Sequence, residues 1–168
     1  HDHDDHADHL YCNAGAYMQQ GLQFGQFAMV ALNRSEEEYG ELIREGIMRL
    51  CLHEVGHTLG LNHNFKGSNL RKASETHDKV VTEAEGLTGS VMEYPAMNFA
   101  RDKDKQGNYY DVNPGPYDLW GIEFAYSPGV EDPEVEAQRL EKILSRSTEP
   151  ELMFANDSED MRSPGKGM

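Results

Sequence analysis

Residues 53–63 read His53-Glu54-Val55-Gly56-His57-Thr58-Leu59-Gly60-Leu61-Asn62-His63. His53 and His57 are four residues apart, which on a helix places them about 40° apart on one face, close enough to share one ion. Glu54 projects beside that face, where it can act on a water activated by the ion, while its position next to His53 keeps it from being the natural third ligand. Gly60 can take positive φ, end the helix and turn the chain so that His63 comes back toward the same ion. Three neutral imidazoles and one open position make a catalytic zinc (Zn2+) site, whereas a structural site is closed by four protein ligands, usually with cysteine. Two histidines and a glutamate at this spacing occur by chance in many helices. The full set of fixed positions would arise at roughly one starting point in three million with equal residue usage, so coincidence is negligible.

The helix that carries this motif has a readable start. Ser35 followed by Glu38 is a capping-box pattern, and Glu36, Glu37 and Glu38 suit the positive end of a helix dipole. The helix is predicted to run through Leu42, Ile43, Ile47, Leu50 and Cys51 to about Leu59. Before it, apolar residues from Ala14 to Leu32 at spacings of three and four predict another helix within 10–32, loosened by Gly15, Gly21 and Gly25. Residues 62–90 read as a long polar loop with a short helical turn near Thr82–Glu85, and 101–116 as irregular structure or a hairpin. Tyr117–Tyr126 predicts a short helix whose Trp120, Phe124 and Tyr126 pack beneath the site. Asp132 then Pro133 predicts the opening of a last helix through Val135, Leu140, Ile143 and Leu144. With no internal repeat and no alternating strand pattern, the expected fold class is mainly α.

Length and charge bound the rest. The chain has 168 residues with 30 acidic against 15 basic, a formal net charge of -15. One domain is expected. No Lys/Arg cluster is present to displace counterions from a nucleic-acid backbone, and an anionic membrane surface would repel the chain. The longest apolar run, Phe27–Leu32, is far short of a bilayer span. There is no signal-peptide pattern and the first residue is His1, so a processed product or an excised piece is expected. Cys12 and Cys51 are too few for a disulfide scaffold; one bridge is possible, but two buried thiols are the expectation. Residues 1–9, HDHDDHADH, combine imidazole and carboxylate ligands, but a polar terminus without an apolar anchor is expected to be flexible. Asp102, Asp104 and Gly107 begin like a calcium loop, yet the twelfth position is Asn113, so a solvated turn is expected.

The motif at 53–63 resembles the signature of the metzincin metallopeptidases, HExxHxxGxxH followed by a methionine-containing turn. Ser90-Val91-Met92-Glu93-Tyr94-Pro95 resembles that turn. The resemblance implies that Met92 forms a hydrophobic floor beneath the metal. It also implies that Tyr94, two residues on as in the astacin and serralysin branches, ligates zinc and swings away to stabilise an oxyanion. Over about 11–128, the stretches HEVGHTLGLNHNFKGS, SVMEYPAMN and QGNYYDVNPGPYDLWGIEFAYSP resemble the met-zincin domain of large bacterial zinc-dependent metallopeptidases. This implies a longer multidomain protein, an extracytoplasmic location (periplasmic, outer-membrane-associated or secreted), and peptide or protein substrates.

Residues 1–168 are accordingly read as a single metzincin-like catalytic domain or its C-terminal part, with 148–168 an irregular tail. Metzincins place a twisted sheet before the active-site helix. The residues preceding His53 read here as helix and polar terminus, so the sheet is expected to lie upstream or to be reduced. Two rivals stand beside the peptidase reading. In one, a downstream glutamate (Glu75, Glu83 or Glu85) replaces His63 as third ligand; in the other, the domain binds zinc or a partner without catalysis and keeps the site as a relic.

Overall fold

The capping box forms as the sequence predicts. Ser35 Oγ accepts from Glu38 N–H at 3.2 Å, and the Glu38 carboxylate accepts from Ser35 N–H at 2.8 Å. In the computed structural model, which describes residues 12–156, this box opens α2 at Glu36–Thr58, preceded by α1 at Ala14–Ala31. A short α3 follows at Lys79–Glu85, then α4 at Pro116–Tyr126 and α5 at Pro133–Leu144. The protein is mainly helical, and no strand occurs among the described residues. No described helix is long and apolar enough to cross a membrane. The His/Asp-rich terminus at 1–9 and the end of the tail, 157–168, lie outside the described residues.

Helix α1 packs along α2, and the close approach is made at Gly25, where a Cβ would press against Leu42 Cδ2 at 2.7 Å. The apolar core is small: Met29, Leu42, Tyr109 and Tyr110, with Met18, Leu22, Tyr39, Met97 and Phe99 around them. Helix α2 departs from the predicted apolar stripe. Its buried positions are Leu42, Glu45, Gly46, Arg49, His53 and Gly56, while Ile47 and Cys51 are exposed. A polar stripe at helical spacing therefore faces inward and is served by long-range hydrogen bonds, with Arg49 Nε left without a partner among the described residues. Glu45 accepts from Tyr109 N–H at 2.6 Å, Tyr110 N–H at 3.2 Å and Asn108 Nδ2 at 2.8 Å, tying the loop after Gly107 to α2.

Two further expectations are corrected. Both cysteines are free, and neither is fully buried: Cys12 is half-buried and Cys51 exposed. Phe124 and Tyr126 are exposed instead of packing beneath the site; Tyr126 Oη donates to Leu59 O at 3.1 Å at the end of α2, and Trp120 Nε1 donates to Ile143 O at 2.8 Å, joining α4 to α5. Part of the negative charge is buried, at Glu45, Glu93, Asp111 and Asp118.

Candidate metal centre

Helix α2 ends in a Schellman motif, with Gly60 N–H donating to His57 O and Leu61 N–H donating to Gly56 O, each at 3.0 Å. Gly60 has φ +87°, a conformation that a side chain would strain. The turn it makes has two consequences. It brings Leu61 O to His57, whose Nδ1–H donates to it at 3.1 Å, and it returns His63 until its Nε2 lies 3.1 Å from His57 Nε2.

His53 is fully buried one turn earlier, and its Nδ1–H donates to Val91 O at 2.7 Å. A backbone carbonyl can only accept, so both hydrogen bonds fix the proton on Nδ1 and leave the Nε2 lone pairs of His53 and His57 for a cation. Burial pushes the His53 pKa down to about 3, against the opposing Val91 carbonyl, and the nearby Arg49 cation adds to the depression. The ring is thus held in the neutral state that metal ligation requires.

The segment Ser90–Pro95 braces this arrangement through the Val91 carbonyl. Met92 is fully buried, and Gly56 inside the helical motif makes room for it: a Cβ at Gly56 would overlap Met92 Sδ. Asp118, three residues after the Gly115 N-cap of α4, accepts from Ser90 Oγ at 2.6 Å and from Val91 N–H and Gly115 N–H at 2.8 Å each. Asn64, also fully buried, donates its N–H to Met92 O at 3.0 Å and its Nδ2 to Met153 O at 3.0 Å, pinning the chain just after His63 to the Met turn. The Arg49 guanidinium donates to Glu93 O. Burial lowers the Arg49 pKa, and the charges of Asp111, Asp118 and Glu93 oppose that shift.

The residues named from the sequence converge. Tyr94 Oη lies 2.9 Å from His63 Nε2, and its ring is 5.3 Å from that of His53. Glu54 is exposed at the edge of the cluster. The glutamates considered as alternative third ligands are engaged elsewhere: Glu75 accepts from Lys72 N–H at 3.1 Å, Glu83 lies 3.8 Å from Lys79 Nζ, and Glu85 pairs with Arg71 at 2.8 Å.

One member of the cluster was not anticipated. Cys12 Sγ lies 3.2 Å from His53 Nε2, and Cys12, His53, His57 and His63 each offer one ligand atom within 4.8 Å of the others, a group that could hold a metal ion. A tetrahedral zinc needs N···N separations of about 3.3 Å and N···S separations of about 3.6 Å. The imidazole and thiol donors are the types such an ion takes, with His57 Nε2 and His63 Nε2 3.1 Å apart and the whole set within 4.8 Å. Sequence spacing gave no sign of Cys12, which is far from the motif along the chain. For Asp118 a partial signal existed, since Gly115-Pro116 followed by an acid at the third helical position marks a capped helix start.

The Met-zincin family matches residues 35–166. The chain belongs to the Met-zincin family. The matched segment contains α2, all three histidines and the Met turn of this Met-zincin domain, while Cys12 and α1 lie before it. No curated protein and no solved structure matches the chain. In Met-zincin terms, zinc is the metal typical of the site, and the family suggests a metallopeptidase.

Beside the cluster a cleft of about 420 Å³ opens between α1 and residues 94–97, lined in part by Tyr17, Met18, Leu50, Tyr94 and Met97. Its walls are mainly apolar.

Proposed function

We propose that this domain is a zinc-dependent metallopeptidase with a metzincin-like catalytic core, hydrolysing peptide bonds with Glu54 as general base. The observation that carries the reading is the convergence of three imidazoles, two of them with tautomers fixed by backbone carbonyls, beside Glu54. His53, His57 and His63 would hold the ion. Zinc bound there would supply Lewis acidity and lower the pKa of a water to about 7.

The chain's own groups perform the proton movements. The Glu54 carboxylate takes the proton of the attacking water and delivers it to the leaving amine. The Tyr94 hydroxyl, next to His63, donates a hydrogen bond to the oxyanion as it forms. The apolar cleft beside Tyr94 fits a hydrophobic side chain of a peptide next to the scissile bond.

A second reading, a zinc-binding or interaction domain without catalysis, draws support from Cys12, because four protein ligands are the mark of a closed structural site. The two readings separate in a peptide-library cleavage assay on zinc-loaded Cys12→Ala protein, with and without Glu54→Gln. The peptidase reading expects cleavage by Cys12→Ala and its loss with Glu54→Gln at an unchanged one zinc per chain. One zinc with no cleavage by Cys12→Ala favours the non-catalytic domain.

A further inference from the structure

The Cys12 side chain faces the histidine cluster. Its sulfur is 3.2 Å from His53 Nε2, 3.5 Å from Glu54 Oε1 and 3.4 Å from Tyr94 Oη, so it touches one histidine of the cluster and both groups assigned to proton transfer and oxyanion binding. The placement is built by α1. The N–H of Ala14, the first residue of that helix, donates to Cys12 Sγ at 3.5 Å, and Ala14 itself is buried. Tyr17, on the next part of the helix, stacks on Tyr94 with ring centroids 5.2 Å apart and planes inclined by 24°. Two side chains of one segment thus meet the cluster from the same side. The 3.2 Å between Cys12 Sγ and His53 Nε2 and the 3.1 Å between the Nε2 atoms of His57 and His63 lie a few tenths of an ångström below what one tetrahedral zinc requires.

We propose that the Cys12 thiolate is the fourth ligand of the metal centre and covers it, so that the folded chain is latent until the start of α1 withdraws or the thiol is modified. The proposal rests on the reading of His53, His57 and His63 as metal ligands. On metal binding the S–H bond breaks and a sulfur–metal bond forms. The proton passes to Glu54 Oε1, which faces the thiol, and then to solvent, with no change in oxidation state. Because the sulfur contacts Glu54 and Tyr94, a substrate carbonyl cannot occupy the same place while Cys12 is bound. Cys12 lies outside the residues matched to the family, so the closure is contributed by the segment that leads into α1.

The test uses the 168-residue chain loaded with cobalt(II) in place of zinc. Wild type is expected to bind one cobalt and show a thiolate-to-cobalt charge-transfer band in the near ultraviolet. Cys12→Ala should keep the cobalt and lose the band, and Cys51→Ser should keep both. Cobalt should also slow alkylation of Cys12 by iodoacetamide by roughly ten-fold or more, leaving exposed Cys51 unaffected, a readout that needs no variant. Covering is read with acetohydroxamate, which should bind cobalt-loaded Cys12→Ala at least about ten-fold more tightly than wild type.

One bound cobalt without the band overturns the proposal while leaving the three-histidine site standing. The band with equal acetohydroxamate affinity in both proteins overturns the covering. Failure of wild type to bind cobalt at all removes the metal centre and this proposal together.

Discussion

The backbone carbonyl of Val91 accepts the Nδ1 proton of His53 at 2.7 Å. The turn that carries Met92 therefore also fixes the tautomer of the innermost histidine, and the position of the candidate metal centre depends on whatever holds Ser90–Met92 in place. Asp118 is the principal clamp, because one carboxylate receives the Ser90 hydroxyl and the N–H groups of Val91 and Gly115.

Asp118→Asn turns part of that acceptor into a donor facing donors. We expect a loss of about 2–4 kcal/mol in urea unfolding, the range for a buried group left unsatisfied. Zinc affinity, read by competition with a chromophoric chelator, should fall about 10–100-fold, as for other groups that orient ligands. Unchanged zinc affinity would mean that the Met turn does not position His53.

Gly56→Ala puts a methyl group where Met92 Sδ now lies. The expected cost is about 1–3 kcal/mol from overpacking, read by thermal or urea unfolding. The double variant Gly56→Ala/Met92→Ala should recover part of the Gly56→Ala loss relative to Met92→Ala alone, because the two residues are in contact. Strict additivity would show that they do not compete for the same space.

What the sequence made legible was local. The capping box at Ser35 and Glu38, the helical spacing of His53 and His57, and the stop at Gly60 each depend on residues within a turn or two of one another, and each is present. What it concealed depends on partners distant in the chain. The inward stripe of α2 is Glu45, Arg49 and His53, so hydrophobic periodicity pointed to Ile47 and Cys51, which face solvent. The partners that make that stripe favourable, among them Asn108, Tyr109, Val91 and Glu93, carry no local pattern. Cys12 was equally invisible, since only the packing of α1 along α2 brings it to the histidines.

His53 predicts a pH dependence for the metal-free protein. Its folded pKa is depressed from 6.5 to about 3, so the neutral ring is favoured in the fold. The stability this contributes is fully present above pH 6.5 and is lost as pH falls toward 3, amounting to up to about 5 kcal/mol in full. Buried Glu45, Asp111 and Asp118, raised by desolvation, act in the opposite direction. The contribution of His53 is therefore read as the difference in urea-unfolding stability between wild type and His53→Gln. That difference should shrink steadily on acidification from pH 7 to 4; a constant difference would contradict a neutral buried His53.

Tyr94→Phe removes the hydroxyl 2.9 Å from His63 Nε2 while keeping a ring to stack on Tyr17. If that hydroxyl stabilises the oxyanion, kcat for peptide hydrolysis in the Cys12→Ala background should fall about 100-fold or more with KM little changed. Zinc stoichiometry should stay the same. A loss confined to KM would assign Tyr94 to substrate binding instead.

The central claim is that His53, His57 and His63 hold one zinc ion. It is tested most directly by an anomalous difference map, collected on both sides of the zinc absorption edge, from crystals of the zinc-loaded protein. The account predicts a single strong peak within bonding distance of all three histidine Nε2 atoms, above Met92. A peak located elsewhere, or no peak at these histidines in protein that carries zinc, would contradict it.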